Sequence, residues 1–292
     1  MNKNLNYRTD MADERVLEYK KKYNVSKIDG IQIEKKEEEL YNLTYVEVLN
    51  EKGEKALGKK IGKYLSLEIR DTMLLEDTDK EKITNVFSEV ITNFIKEYNP
   101  KSILVVGLGN KDVTPDSLGP KVIDKINVTR HIFTYAKELV TNESKIVSAI
   151  SPGVLGTTGI EVCEIVEAIS KKIKPDIVLV IDSLASISKE RVGKSMQITD
   201  AGIAPGGGVQ NRRKELSIET LKVPVIAIGV PFVVDVAKIT FETMQKLDKK
   251  IEYKKIIEVL DTENYMVTPK EIDIIVEDFS VMLAKSINKV LE

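Results

Sequence analysis

Three aspartates stand where apolar runs stop. Asp112 and Asp116 lie in "NKDVTPDSLGP" (110–120), directly after "ILVVGLG" (103–109), and Asp182 closes the apolar part of "DIVLVIDSL" (176–184). In an open α/β sheet, ligands bind just outside the carboxyl ends of the strands. A carboxylate at the end of a buried strand is partly desolvated. Two of them close together resist double ionisation, so one tends to keep a proton at neutral pH. Asp116 and Asp182 would then form one acid and one base, which suits water-mediated hydrolysis of an amide. The plainer reading of the same residues is structural. Asp before a helix is a common cap, and Thr-Pro-Asp-Ser is good turn sequence.

Little else could carry chemistry. There is one His, one Cys and no Trp. A Ser-His-Asp or Cys-His set would have to use His131, and a zinc site of several His and Cys ligands is impossible. His131 is flanked by Ile132 and Phe133 and reads as a partly buried structural residue. Cys163 falls on an apolar helix side and reads as a small core residue. A dinucleotide fingerprint begun at Gly107 and Gly109 would need its third glycine where Asp112 stands, and an acid there repels pyrophosphate. No phosphate-binding P-loop occurs. In "GIAPGGGVQNRRKE" (202–215), Gly206, Gly207 and Gly208 could present backbone amides as a substrate or oxyanion wall, or form a plain surface loop. Arg212, Arg213 and Lys214 read as a solvated patch, and Asp200 and Asp235 as caps.

The elements that must position these groups follow from periodicity. Near-continuous apolar runs at 102–109, 145–151, 176–184 and 223–231 predict strands buried on both faces. Helical stretches lie between them, most clearly at 160–173. That alternation predicts βαβ units and a mainly parallel, doubly wound sheet flanked by helices. Ile83, Val86, Phe87, Val90, Ile91, Phe94 and Ile95 mark a helix over 78–97. Residues 31–77 read as a small β-rich subdomain, with alternation at 43–50 and 63–69 around a turn in "EKGEKALGKK". Residues 11–30 read as a mobile N-terminal arm or a loosely held helix, and 78–292 as the α/β core, packed with 31–77 as one unit. Thr268, Pro269 and Glu271 predict a capped start for a last helix.

Composition sets the class. The 292 residues include 44 Lys and Arg against 46 Asp and Glu, a net charge of -2. Such a balance gives no electrostatic reason to bind nucleic acid. No run of about 18 apolar residues predicts a membrane span, and the N-terminal stretch lacks the apolar region of a secretory signal. A lone cysteine fits a reducing, cytoplasmic setting.

Longer blocks carry a resemblance. "VVGLGN", "VTPDSLGP", "TRHIF", "VSAISPGVLGTTGIE", "PDIVLVIDSLA", "ITDAGIAPGGGVQNRRKE", "VPVIAIGVPFVVD" and "NYMVTPKEIDIIVED" together resemble the germination proteases of spore-forming bacteria, over nearly the whole chain. The resemblance implies an atypical aspartic endopeptidase that degrades small acid-soluble spore proteins, on a fold like that of the hydrogenase-maturation endopeptidases. It implies Asp116 and Asp182 as the catalytic pair, with no cofactor and no metal. It also implies a homotetramer in the forespore and spore core, with no nucleic acid or membrane as direct partner. Finally, it implies a zymogen that removes its own N-terminal peptide. The family's substrates are cut after an acid preceded by Thr and followed by an apolar residue and then Ala. Thr9, Asp10, Met11, Ala12 and Glu14 reproduce that pattern, so residues 1–10 would be the propeptide and Asp10–Met11 the scissile bond. One departure is visible: family members can carry a long insertion where this chain has only a short connection, at about 246–263. Two rival readings remain: a metal-dependent maturation endopeptidase on the same fold, and a non-catalytic peptide-binding module.

Overall fold

The computed structural model describes residues 9–70, 75–141, 144–206, 214–248, 250–260 and 265–292. Its strands are β1 (Ile31–Glu37), β2 (Tyr41–Val48), β3 (Gly62–Ile69), β4 (Ser102–Gly107), β5 (Ile146–Ile150), β6 (Ile177–Ser186), β7 (Ser195–Thr199), β8 (Val225–Asp235) and β9 (Met266–Val267). The helices are α1 (Ala12–Tyr23), α2 (Glu51–Leu57), α3 (Asp77–Ile95), α4 (Leu118–Ile123), α5 (Arg130–Tyr135), α6 (Leu155–Thr158), α7 (Val162–Ile173), α8 (Ile218–Leu221), α9 (Val236–Leu247), α10 (Tyr253–Leu260) and α11 (Ile272–Leu291).

Among the described residues the strands form one sheet in the order β1-β2-β3-β7-β8-β6-β4-β5, with β9 on the end of β8. β8, β6, β4 and β5 run parallel, as their apolar runs predict. β7 joins this half to the antiparallel half by pairing with β8 on one side and β3 on the other. The β-rich N-terminal segment is therefore a continuation of the same sheet. The result is an α/β fold with helices on both faces.

One face carries the larger core. Ile103, Val105, Ile177, Leu179, Ile181, Ile226 and Ile228 pack there against Phe87 and Ile91 of α3 and Phe279 and Leu283 of α11. Phe279 stands between Phe87 and Phe232, at ring separations of 6.2 and 6.0 Å. The opposite face is covered in two places. Val162, Cys163 and Val166 of α7 cover Leu104, Val106, Val178 and Val180. Ala12 and Val16 of α1, with Leu57 of α2, cover Val46, Val48 and Tyr64. The candidate site lies on this face, between the two covers.

Four local expectations are corrected. Residues 11–30, expected to be a mobile arm or a loosely held helix, hold the helix α1, and it is firmly docked: Met11, Ala12, Asp13, Glu14 and Val16 are buried. The stretch taken as a turn after β2 is α2, whose Asn50 cap accepts from the Lys52 and Gly53 amides. Thr268 does not cap the last helix. Its hydroxyl donates to the Phe232 carbonyl at 2.8 Å, and α11 starts at Ile272. Asp200, expected as a cap, instead ties two strands together by accepting from the Lys63 amide at 2.7 Å. Asp235 does cap a helix, accepting from Ala237 at the start of α9.

Candidate active site

Asp116 is aimed by the turn that follows β4. Thr114–Asp116 form a short 3₁₀ turn with Pro115 in its first positions, where a fixed φ suits the conformation. The Asn110 amide donates to Asp116 Oδ2 at 2.8 Å. Gly109 has φ +111, and a Cβ there would lie 2.0 Å from the Asp116 carbonyl oxygen. Only glycine lets the chain double back this tightly.

Asp182, expected at the carboxyl edge of its strand, lies within β6, which continues past it to Ser186; it is buried, with Oδ1 accepting from the Ser183 amide at 2.8 Å. One oxygen of each carboxylate is thus held by a backbone N–H, which fixes the orientation of the group. Asp116 and Asp182 line one cavity of about 570 Å3. Leu108, Val154, Val162 and Ile203 supply apolar wall, and Gly206 also lines it. Gly207 and Gly208 fall outside the described residues. Asp112 is exposed and forms a local turn with Asn110.

The same cavity contains Asp10. The Asp10 amide donates to the Ala185 carbonyl at 2.9 Å, and the Ala185 amide donates to Asp10 Oδ2 at 2.8 Å. A bulge in the β6–β8 ladder falls between Leu184 and Ala185, at the residue that receives Asp10; bulges often re-aim backbone next to sites. Lys59 Nζ and Gln197 Nε2 both donate to the Asp10 carbonyl, at 2.8 and 3.0 Å. The Ala12 amide donates to Gln197 Oε1 at 2.7 Å. The Met11 amide donates to Thr9 Oγ1 at 3.0 Å, and that hydroxyl donates in turn to Glu14. Glu14 also accepts from Ser186 Oγ and from the Ile187 and Ser188 amides at the end of β6.

This corner is heavily desolvated. Asp10 and Lys59 are half-buried. Burial pushes the Asp10 carboxyl above its usual range, opposed by Lys59, the Ala185 amide and Arg15. Burial likewise lowers the Lys59 ammonium, opposed by Asp10. Glu14 is raised by burial against the pull of Arg191. Arg191 Nη1 meets Asp13 Oδ2 at 2.6 Å in a buried ion pair, and Asp13 Oδ1 accepts from Ser66.

The two remaining reactive side chains lie elsewhere. Cys163 is buried under α7, with Sγ donating to the Glu215 carbonyl at 3.5 Å, and burial pushes its thiol up. His131, expected to be partly buried, is exposed on α5 and lines no part of the cavity. Among the described residues no group of three or more His, Cys, Asp or Glu is placed to hold a metal.

Lys59 and Gln197 were not picked out from sequence. For Gln197 a signal existed: "SMQIT" alternates polar and apolar residues, and Met196 and Ile198 are buried on the core side. Such alternation marks a strand with one face toward a site or solvent. For Lys59, at the end of α2, no local pattern distinguishes it from other surface lysines.

A model of the germination protease family matches residues 8–254. The chain belongs to the germination protease family. It is 42% identical to the germination protease of Clostridium tetani, over 99% of this chain and 96% of the relative. Against the germination protease of Caldanaerobacter subterraneus the identity is 40%, over 99% and 95%, and against that of Priestia megaterium 39%, over 97% and 93%. Germination proteases are peptidases, so the chain is a spore-germination peptidase, and the site just described is its candidate catalytic centre. Among solved structures, a NiFe hydrogenase maturation protease from Thermococcus kodakarensis matches with a TM-score of 0.39 and 17% identity, over 69% of this chain and 98% of that one.

Proposed function

We propose that this germination protease is an aspartate-dependent endopeptidase, made as a zymogen that cuts its own Asp10–Met11 bond and then degrades small acid-soluble spore proteins in the spore core. The observation that carries the reading is the docking of residues 9–14 against the cavity of Asp116 and Asp182. Asp10 lines that cavity, and beside it the segment is fixed by Thr9 on Met11 and Glu14, Ala12 on Gln197, and Glu14 on the end of β6. The acid meets the Ala185 amide, Met11 and Ala12 are fully buried, and Glu14 caps the end of β6. A fully buried Ala12 leaves room for only a small side chain, which gives a physical reason for Ala at that place in a substrate.

The chemistry is a water addition. One aspartate takes a proton from water as its oxygen bonds to the Asp10 carbonyl carbon. The other gives a proton to the Met11 nitrogen as the C–N bond breaks. The products are a new carboxylate on residue 10 and a free amine on residue 11. Self-association into a homotetramer belongs to the same reading.

The test is to activate the full chain and sequence its N-terminus, then to incubate it with a small acid-soluble spore protein with and without chelator. New material should begin at Met11, and digestion should be indifferent to chelator. Asp116→Asn and Asp182→Asn should fold and neither process nor digest. Loss of activity with chelator would favour a metal-dependent peptidase, and binding without cleavage by wild type a peptide-binding module.

A further inference from the structure

We propose that Lys59 and Gln197 form a carbonyl clamp that stabilises the oxyanion during cleavage of the Asp10–Met11 bond. The inference rests on the reading of that bond as scissile and assigns two further catalytic residues to the reaction.

The geometry is specific. Two donors converge on one carbonyl oxygen, at 2.8 Å from Lys59 Nζ and 3.0 Å from Gln197 Nε2. Donors that hold a developing oxyanion lie about 2.7–3.1 Å from the position it takes, a short shift from the planar carbonyl oxygen that these two donors already hold. The Gln197 side chain also accepts from the Ala12 amide, so a single carboxamide straddles the bond. The rest of the segment is fixed as well. Asp10 N–H is held by Ala185, and Met11 N–H by Thr9 Oγ1. The Met11 carbonyl accepts from the Arg15 amide. An ordinary surface turn does not need this much side-chain support for one peptide unit, least of all from an ammonium that burial disfavours.

The two donors come from independent elements. Gln197 lies on β7, and Lys59 follows α2. They reach the carbonyl from the antiparallel half of the sheet, while Asp116 and Asp182 come from the parallel half. Water would add to the Asp10 carbon, and the charge that appears on its oxygen would meet an ammonium and an amide N–H. Both donors are already in place on that oxygen. When the C–N bond breaks the charge returns to a carbonyl, and the clamp is left holding the new carboxylate.

Lys59→Met and Gln197→Glu test this in the full-length chain, since each nearly preserves shape and removes a donor. The readout is the first-order rate of self-processing under conditions that activate wild type, with the cut bond identified by mass spectrometry and folding checked by thermal unfolding. Each variant should slow the cut by about 10²–10³-fold, the usual loss for one oxyanion donor, with the melting midpoint little changed. If Lys59→Met folds poorly, Gln197→Glu decides. Wild type cutting at Asp10–Met11 with folded variants within about threefold of it would overturn the clamp alone; the expected loss per donor is far larger. Wild type cutting elsewhere would overturn the reading beneath it, and the clamp with it.

Discussion

Asp182 and Gln197 flank Gly229 in one row across the sheet. Asp182 pairs with it in parallel from β6 and Gln197 antiparallel from β7. Residues directly opposite in register share a face, so the two side chains rise on the same side, about 10 Å apart at their Cα atoms by two strand spacings. The residue between them has no side chain, which opens a trough over β8. Leu184 leans into it: a Cβ on Gly229 would come within 2.5 Å of Leu184 Cγ. Leu184 lines the spaces on both sides of Asp10.

Gly229→Ala should therefore act on the site more than on the fold. The methyl would push Leu184 toward Asp10, at a stability cost of about 1–2 kcal/mol typical of mild overpacking. Self-processing should slow at least tenfold, about 1.4 kcal/mol in the barrier. Parallel measurement of processing rate and urea unfolding checks it; an unaltered rate in a folded variant would show that the trough does not constrain the bond.

Gly109→Ala should be more damaging. It combines a backbone conformation that L side chains rarely adopt with a contact of 2.0 Å to the Asp116 carbonyl. Since neither atom belongs to a flexible side chain, the turn itself must move. We expect a loss of about 2–3 kcal/mol, at the upper end of ordinary substitutions, and a fall in activity of at least about 100-fold as Asp116 is displaced. Normal hydrolysis by Gly109→Ala would mean that Asp116 is not held by this turn.

Much of this architecture is legible in the chain. The parallel strands announce themselves because both of their faces are buried, and β6 and β8 are almost wholly apolar up to the site. Asp116 and Asp182 are found by asking which acids close the apolar runs, although β6 itself continues past Asp182 to Ser186. What stays hidden is long-range. β7 is only five residues long and half polar, yet it joins the two halves of the sheet. Residues 12–23 look like a charged, mobile arm because only a narrow stripe of α1 is apolar. They are fixed largely by polar groups whose partners lie far along the chain: Asp13 with Arg191, Glu14 with Ser186. Sequence periodicity records burial of apolar side chains and is silent on such pairings. α2 was readable, with Asn50 before it and Gly58 after it as start and stop signals, but its charged composition resembles a turn.

The Asp13–Arg191 pair gives a prediction on docking. Arg191 is buried and faces Asp13, with Glu14 and Glu68 nearby. Arg191→Met would strand two buried carboxylates, and breaking a buried pair from one side costs about 3–5 kcal/mol. The loss should be local first: hydrogen exchange should rise in residues 10–20 before it rises in β6. Adding Asp13→Asn should recover part of the stability. If the double variant is no better than Arg191→Met, the ion pair is not what holds α1.

Glu18 gives a prediction on pH. It lies on α1 against α9, with Oε1 3.9 Å from Lys238 Nζ and Oε2 3.8 Å from Arg15 Nη1. Burial pushes its carboxyl up to about 7, against the pull of Lys238, Arg15 and Lys21 and with a small push from Glu14. The folded state therefore binds a proton that the unfolded chain releases near pH 4.5. Where the folded state holds more protons, stability falls as pH rises. Glu18's contribution should thus be lost progressively between about pH 4.5 and pH 7. Glu18→Gln removes the titration. It should be more stable than wild type at pH 8 by about 1–2 kcal/mol, less than the full shift implies because the side chain is partly exposed. The two proteins should converge at about pH 4, where both states hold the proton. Chemical denaturation across that range checks the difference, and stability curves that run parallel would show that Glu18 is ionised in the fold without cost.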